Sequence, residues 1–257
     1  MTSRPVPAHP YFDDRFAALA HRGFSREGLE NSMTAFQAAV DLGFRYVETD
    51  AHGTSDGVAV ALHDSSLDRT TDGAGEVARL PWSLVKEARI GGVEPVPLFE
   101  DILGTWPELR VNVDVKGPSG IAPIAEAIER TKAHDRVCVA SFSTARRDAT
   151  VRLLSRPVAT SAGTSEAGLF FLGGATGVGT LRSLRRVDGL QIPWKVGTMR
   201  VLTERHVRIA HEAGRVVHVW TVNERSDMEL LLDMGVDGLV SDRADLLREV
   251  LEDRGRW

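Results

Sequence analysis

The sequence contains a single cysteine, Cys138, among its 257 residues. One thiol cannot form an internal disulfide, and it excludes a zinc site built from several cysteines. Cys138 lies in the apolar run 137–140, so we expect a small buried core residue rather than a reactive thiol.

Long apolar runs are also lacking. No stretch reaches the roughly 18 uninterrupted apolar residues of a membrane span. The first 17 residues hold three prolines and two aspartates and lack the apolar segment of a signal peptide. We therefore expect a cytoplasmic protein with no integral membrane segment.

An excess of positive charge is the third absence. The chain has 31 Lys and Arg against 36 Asp and Glu, a net charge of −5. Without a basic footprint a nucleic-acid partner is not expected. A small anionic substrate would instead need cations gathered locally at its site.

What the sequence does contain is a regular alternation of strand and helix patterns. Such alternation implies parallel strands joined by helical crossovers. The predicted strands number eight: the second opens the hairpin at 47–64, and the others lie at 16–20, 109–115, 136–142, 158–162, 189–193, 216–222 and 238–241. Eight units most economically close into a (β/α)8 TIM barrel, an α/β fold whose active site lies at the C-terminal ends of the strands. A doubly wound open sheet is the alternative.

The domain prediction follows from the same pattern. No composition break or linker divides the chain, so we expect a single domain over 1–257. Its ordered barrel is predicted over about 16–253, with a small insertion after the second strand at about 53–97.

The stretch 47–64 concentrates polar chemistry at the end of the second strand. Glu48 and Asp50 are two apart, so in an extended strand both side chains point to one face. A turn at Ser55-Asp56-Gly57 reverses the chain, and the returning run ends at His63. The turn should therefore bring His63 close to the two carboxylates.

Other strand ends add complementary groups. The first predicted strand runs into His21 and Arg22, and the third carries Asp114 and Lys116, again two apart. Acids at one rim suit a hard cation such as Mg²⁺ or Ca²⁺. The expected ligands are Glu48, Asp50 and Asp114.

The cations and histidines suggest the reaction. Arg22 and Lys116 are suited to an anion such as phosphate. His21 and His63 could act as general acid and general base, since imidazole titrates near neutrality. A metal, two cations and an acid–base pair together indicate displacement at phosphorus.

A series of short motifs spans residues 21 to 242. In order they are His21-Arg22-Gly23, Glu30-Asn31, Glu48-Thr49-Asp50, Asp56-Gly57 with His63-Asp64, Leu67 to Thr71, Val96 to Glu100, Asp114-Val115-Lys116, Trp220 to Asn223 and Val236 to Asp242. In this order they resemble the glycerophosphodiester phosphodiesterase family, a group of phospholipase C-like phosphodiesterase barrels.

The resemblance implies metal-dependent hydrolysis of a glycerophosphodiester to glycerol 3-phosphate and an alcohol. It implies the same roles for the histidines, acids and cations named above, and it places Asn31 near the substrate. In the mechanism attributed to the family, the glycerol 2-hydroxyl attacks phosphorus first, and water then opens the cyclic phosphate. Trp220 is equally well explained as a core residue or as a contact for the glycerol or the leaving alcohol.

One position departs from the family pattern. The third metal acid is usually glutamate, whereas this chain has Asp114, one methylene shorter. That departure leaves the identity of the metal open.

Three alternatives stay open. The enzyme could act like a lysophospholipase D that releases a cyclic phosphate or a lysophosphate. The apolar run 169–172 would then suit a lid over an acyl chain, although core packing is its default interpretation. It could also be a catalytically silent barrel that binds a phosphorylated metabolite, which the presence of His21 and His63 disfavours. A metal-dependent aldolase or isomerase would need a lysine or a single base facing a carbonyl, and none can be placed.

Overall fold

A computed structural model describes residues 9–12, 16–25, 28–173, 184–197 and 199–257. Its strands are β1 Ala17–His21, β2 Tyr46–Gly53, β3 Ala59–Ala61, β4 Arg89–Ile90, β5 Glu94–Pro95, β6 Arg110–Val115, β7 Val137–Ala140, β8 Ala159–Thr160, β9 Gly189–Ile192, β10 Lys195–Val196, β11 Met199–Arg200, β12 Val216–Val219 and β13 Gly238–Ser241. Its α-helices are α1 Met33–Asp41, α2 Trp82–Val85, α3 Phe99–Thr105, α4 Ile121–Thr131, α5 Thr144–Val151, α6 Thr164–Gly173, α7 Glu204–Glu212, α8 Arg225–Met234 and α9 Ala244–Asp253.

Eight of these strands form a parallel barrel. Their order is β8-β7-β6-β2-β1-β13-β12-β9, and every pairing along that path is parallel. A parallel bridge between Ser161 and Gly189 joins the two ends of the path. The (β/α)8 prediction is therefore confirmed, with closure resting on a short contact between β8 and β9.

The helices form where the sequence supplies caps and apolar faces. Ser32 caps α1 by accepting a hydrogen bond from the Ala35 amide at 3.1 Å. The same helix buries Phe36 and Ala39 against the barrel. Gly23 lies so close to α1 that a Cβ atom there would be 2.7 Å from the Ala35 carbonyl carbon. Its absence lets the loop after β1 pass over the helix.

The barrel is filled from below by aromatic residues. Tyr11 is fully buried and packs edge-on against Phe12 and Tyr46, with ring centroids 4.9 and 5.4 Å away. The Tyr46 hydroxyl donates to the Tyr11 carbonyl at 2.9 Å. The lower end of the barrel is thus closed, and the polar strand ends lie at the other end.

The predicted insertion has its own apolar cluster. Within 53–97, β3 pairs antiparallel with β2, which confirms the hairpin expected at 47–64. The cluster is formed by Val60, Leu62, Leu67, Val77, Val85, Ala88, Ile90 and Val96. The partly buried Leu29 packs on it, which ties the insertion to the loop before α1.

The sequence did not indicate every element. The hairpin β10–β11, between β9 and α7, was not expected, and the apolar run 169–172 lies within α6. Among the helices in the described ranges, none is long and apolar enough to cross a membrane.

Candidate active site

The register of neighbouring strands aligns the predicted site residues. His21 in β1 is paired with Glu48 in β2, and Asp50 in β2 is paired with Asp114 in β6. A cavity of about 490 Å³ opens at this rim. Eight predicted site residues line it: His21, Arg22, Glu48, Asp50, His63, Asp114, Lys116 and Trp220.

His21 is oriented by a carboxylate from the opposite end of the chain. Its Nδ1 lies 2.5 Å from Asp242 Oδ1, and Asp242 is fixed by the Asn223 amide at 2.7 Å. The other ring nitrogen, Nε2, lies 3.7 Å from Glu48 Oε2. Burial acts to lower the pKa of His21, but Glu48 and Asp242 outweigh it, and the pKa is raised.

His63 has a carboxylate partner of its own. Its Nδ1 lies 2.6 Å from Asp64 Oδ1. The backbone carbonyl of His63 is 3.2 Å from His52 Nε2, so His52 fixes the main chain at this point. Both candidate acid–base histidines therefore have Nδ1 bound to an aspartate, which leaves Nε2 for proton transfer.

Three buried carboxylates line the same cavity as the two histidines. Burial, followed by the neighbouring Asp50, raises the pKa of Glu48 to about 8. Burial acts to raise the pKa of Asp50, but Lys116 and Arg22 outweigh burial, and the pKa is lowered. Burial raises the pKa of Asp114. Burial thus disfavours the ionised forms of Glu48 and Asp114, whereas the two cations favour that of Asp50.

The two cations lie against these acids. Lys116 Nζ is 2.8 Å from Asp50 Oδ1 and 2.9 Å from Asp114 Oδ2. The pKa of Lys116 is raised, since the two carboxylates outweigh the lowering effect of burial. Arg22 Nε is 3.0 Å from Asp50 Oδ2, at an angle outside that of a hydrogen bond.

Asn31 supports the site from behind. It is 1 % exposed and is absent from the residues that line the cavity. Its amide donates to Asp50 Oδ2 at 3.3 Å, and its Oδ1 accepts from the Thr49 hydroxyl at 2.8 Å. Both Arg22 and Asn31 have a left-handed backbone, at φ 54° and 60°. Such a conformation costs about 1–3 kcal/mol per residue, so the surrounding contacts must hold it.

The donor set is chemically suited to a hard divalent cation. Carboxylates are the preferred ligands of Mg²⁺ and Ca²⁺, and the buried Asp114 Oδ1 lacks a hydrogen-bond partner. A cation at this point would satisfy that oxygen and favour the ionised forms of Glu48 and Asp114. In the described ranges, however, no group of three His, Cys, Asp or Glu side chains is already arranged as a metal shell. Lys116 holds two of the three acids instead.

The opposite side of the cavity is apolar. Phe142 and Trp220 pack edge-on, with ring centroids 5.7 Å apart. Phe171 from α6 also lines the cavity, as does Ile192 at the end of β9. Within the run 169–172, Phe170 is fully buried, whereas Leu169 and Leu172 are exposed. The run therefore supplies both core packing and a wall of the pocket.

Sequence reasoning did not assign roles to several residues at the site. Asp64, Asp242 and Arg69 entered the sequence analysis only as members of the motifs His63-Asp64, Val236 to Asp242 and Leu67 to Thr71. Asp64 is adjacent to its partner His63 in the sequence, whereas Asp242 is 221 residues from His21 and Arg69 is 39 residues from Glu30. The available signal was their position inside the family motifs, without which distant pairing cannot be inferred.

Comparisons with a family profile and with individual proteins indicate the same family. The sequence profile of the glycerophosphoryl diester phosphodiesterase family matches residues 21–246. The chain is 47% identical over 243 residues to "Probable glycerophosphodiester phosphodiesterase 2" of Mycobacterium tuberculosis, covering 93% of this chain and 92% of that protein.

Solved structures show the same fold. A glycerophosphodiester phosphodiesterase from Agrobacterium tumefaciens matches with a TM-score of 0.73 and 22% identity, covering 91% of this chain and 99% of that one. A phosphodiesterase from Oleispira antarctica, in complex with the product sn-glycerol-3-phosphate, matches with a TM-score of 0.76 and 21% identity, covering 91% and 96%.

Proposed function

The chain belongs to the glycerophosphoryl diester phosphodiesterase family, and we propose that it hydrolyses a glycerophosphodiester to glycerol 3-phosphate and an alcohol with His21 and His63 as its acid–base pair. Membership makes it a phosphoric diester hydrolase. The observation that carries the proposal is the presence of two carboxylate-bound imidazoles in one pocket with two cations.

The proposed reaction has two steps. In the first, one imidazole takes the proton of the glycerol 2-hydroxyl as that oxygen bonds to phosphorus, and the other gives a proton to the departing alcohol oxygen. In the second, the histidines exchange roles, and water opens the cyclic phosphate to glycerol 3-phosphate. Each histidine ends the cycle in its starting protonation state, so no further reactant is needed.

The remaining side chains bind and orient. Arg22 can hold a phosphate oxygen through its guanidinium, and Lys116 can move from the carboxylates to the substrate. Glu48, Asp50 and Asp114 would hold a divalent cation, Mg²⁺ or Ca²⁺. When bound, such an ion supplies charge stabilisation at phosphorus.

The test is release of glycerol 3-phosphate from a panel of glycerophosphodiesters, with EDTA, Mg²⁺ and Ca²⁺ arms. We expect His21→Ala and His63→Ala each to lower kcat by about 10²-fold or more. His9→Ala is the matched control, because His9 lies beside Pro157, outside the residues that line the cavity. Absence of glycerol 3-phosphate from every substrate, with metal bound, would overturn the proposal.

The apolar wall supports a second candidate substrate. Phe142, Phe171 and Trp220 could cover the acyl chain of a lysophospholipid, whose free 2-hydroxyl permits the same chemistry. Phe171→Asp should then lower the turnover of lysophosphatidylcholine much more than it lowers the turnover of glycerophosphocholine. An equal effect on both substrates would exclude an acyl role for this wall.

A further inference from the structure

The two acid–base histidines differ in what supports their aspartates. Asp242, behind His21, is held by the neutral amide of Asn223 at 2.7 Å. Asp64, behind His63, is held by a guanidinium: Arg69 Nε lies 2.5 Å from Asp64 Oδ2, and Arg69 Nη2 lies 3.1 Å from Asp64 Oδ1. Both oxygens of the Asp64 carboxylate therefore accept from Arg69, which fixes the orientation of the carboxylate toward His63.

Arg69 is itself anchored by a second acid. Its Nη2 donates to Glu30 Oε1 at 2.7 Å, and the same Glu30 oxygen accepts from Arg22 Nη1 at 3.0 Å. Glu30 thus joins Arg69, which supports His63, to Arg22, which lines the cavity. A continuous chain of charged contacts runs from one imidazole to the proposed phosphate-binding arginine.

The backbone on either side of Arg69 is held by contacts within the insertion. The amide of the buried Leu67 donates to the Gly75 carbonyl at 3.0 Å, and the Thr71 hydroxyl donates to the Leu67 carbonyl at 2.7 Å. Leu67 belongs to the same apolar cluster as Leu29, the neighbour of Glu30. The insertion therefore holds the segment from which the Arg69 side chain reaches both acids.

We propose that Arg69 is a positioning residue for His63: it holds Asp64 so that the imidazole presents Nε2 to the substrate, without itself contacting substrate. The inference rests on the proposed function, because it takes His63 as one of the two proton carriers. The Arg69 side chain is 49% exposed, so its ion pairs should add little to the free energy of unfolding. The same exposure makes the position accessible to small solutes.

The first experiment separates positioning from structural support. Arg69→Met should lower kcat on glycerophosphocholine by about 10- to 100-fold through misplacement of His63, while KM changes by less than about threefold. Arg79→Met is the matched control, because Arg79 lies in the same insertion and pairs only with Glu76 among the ion pairs of the described residues. In the His63→Gln background, Arg69→Met should cost less than about twofold, since residues that act through one another are not additive.

Chemical rescue and spectroscopy complete the test. Guanidinium added to Arg69→Ala should restore kcat, and it should have no effect on the Arg69→Ala/His63→Gln double variant. The ¹⁵N shifts of the His63 ring should change in Arg69→Met and stay constant in Arg79→Met, a readout that needs no turnover.

Three outcomes would overturn the inference: a kcat of Arg69→Met within about twofold of wild type, a loss in the His63→Gln background as large as in wild type, or unchanged His63 shifts. A wild-type protein that is inactive on every phosphodiester would instead overturn the proposed function. In that case the ring shifts still decide whether Arg69 positions His63.

Discussion

Asp114 brings its carboxylate to the proposed cation site on a side chain one methylene shorter than that of glutamate. Its backbone is paired with Asp50 across β2 and β6, and its Oδ1 is buried without a hydrogen-bond partner. A carboxylate one methylene shorter than glutamate leaves more room for a cation or a water beside it. We therefore expect the metal preference of the proposed cation site to depend on this side chain.

Asp114→Glu should tighten metal binding, because the longer arm brings its oxygen closer to Glu48 and Asp50. We expect the half-activating Mg²⁺ concentration of EDTA-treated enzyme to fall by about threefold or more. Asp114→Asn should raise it by about tenfold, through loss of an anionic ligand. Titration of Mg²⁺ and Ca²⁺ against activity measures both, and a weaker response in Asp114→Glu than in wild type would contradict the proposed ligand set.

Helices α5 and α6 show how an element is held in place to form a pocket wall. Arg147 of α5 is 1 % exposed and donates to Glu166 of α6 at 2.6 and 3.1 Å and to the Ser161 carbonyl at 2.8 Å. Glu166 also accepts from the Gly163 amide at 2.9 Å. This network fixes the start of α6, whose Phe171 lines the cavity.

Arg147→Met should lower the free energy of unfolding by about 3–5 kcal/mol, because it leaves Glu166 buried without its guanidinium partner. Urea denaturation measures the change. Arg152→Met, at the exposed end of α5, is the matched control and should stay within about 0.5 kcal/mol of wild type. A loss at Arg147 no larger than at Arg152 would mean that the network does not stabilise α6.

At the scale of the whole molecule, the first and last strands of the barrel are neighbours. β1 pairs with β13, and Trp257 packs against Phe44 with ring centroids 5.0 Å apart. The barrel and its insertion nevertheless have separate apolar clusters. The single-domain interpretation predicts that they unfold together.

Unfolding by urea should therefore show one transition with the same midpoint by far-UV circular dichroism and by tryptophan fluorescence. The fluorescence reports on both parts, since Trp82 lies in the insertion and Trp220 at the barrel rim. A separate early fluorescence transition that disappears in Trp82→Phe would show that the insertion unfolds independently.

Much of this architecture is determined by the sequence alone. The alternation of apolar runs with capped helices predicted the barrel, because parallel strands require helical crossovers. The two-residue spacing in Glu48-Thr49-Asp50 predicted one face for both acids, since side chains alternate along a strand. Strand polarity then predicted that His21, Asp114 and Lys116 would share a rim with them, and the cavity contains all five.

Only the tertiary structure decided which residues support that rim. Asp242 reaches His21 because β13 closes on β1, and Arg69 reaches Glu30 because the insertion packs on Leu29. These contacts join residues whose separation along the chain has no periodicity, so no local pattern encodes them. The sequence therefore determined the reactive groups and their rim, whereas packing between distant segments determined their orientation.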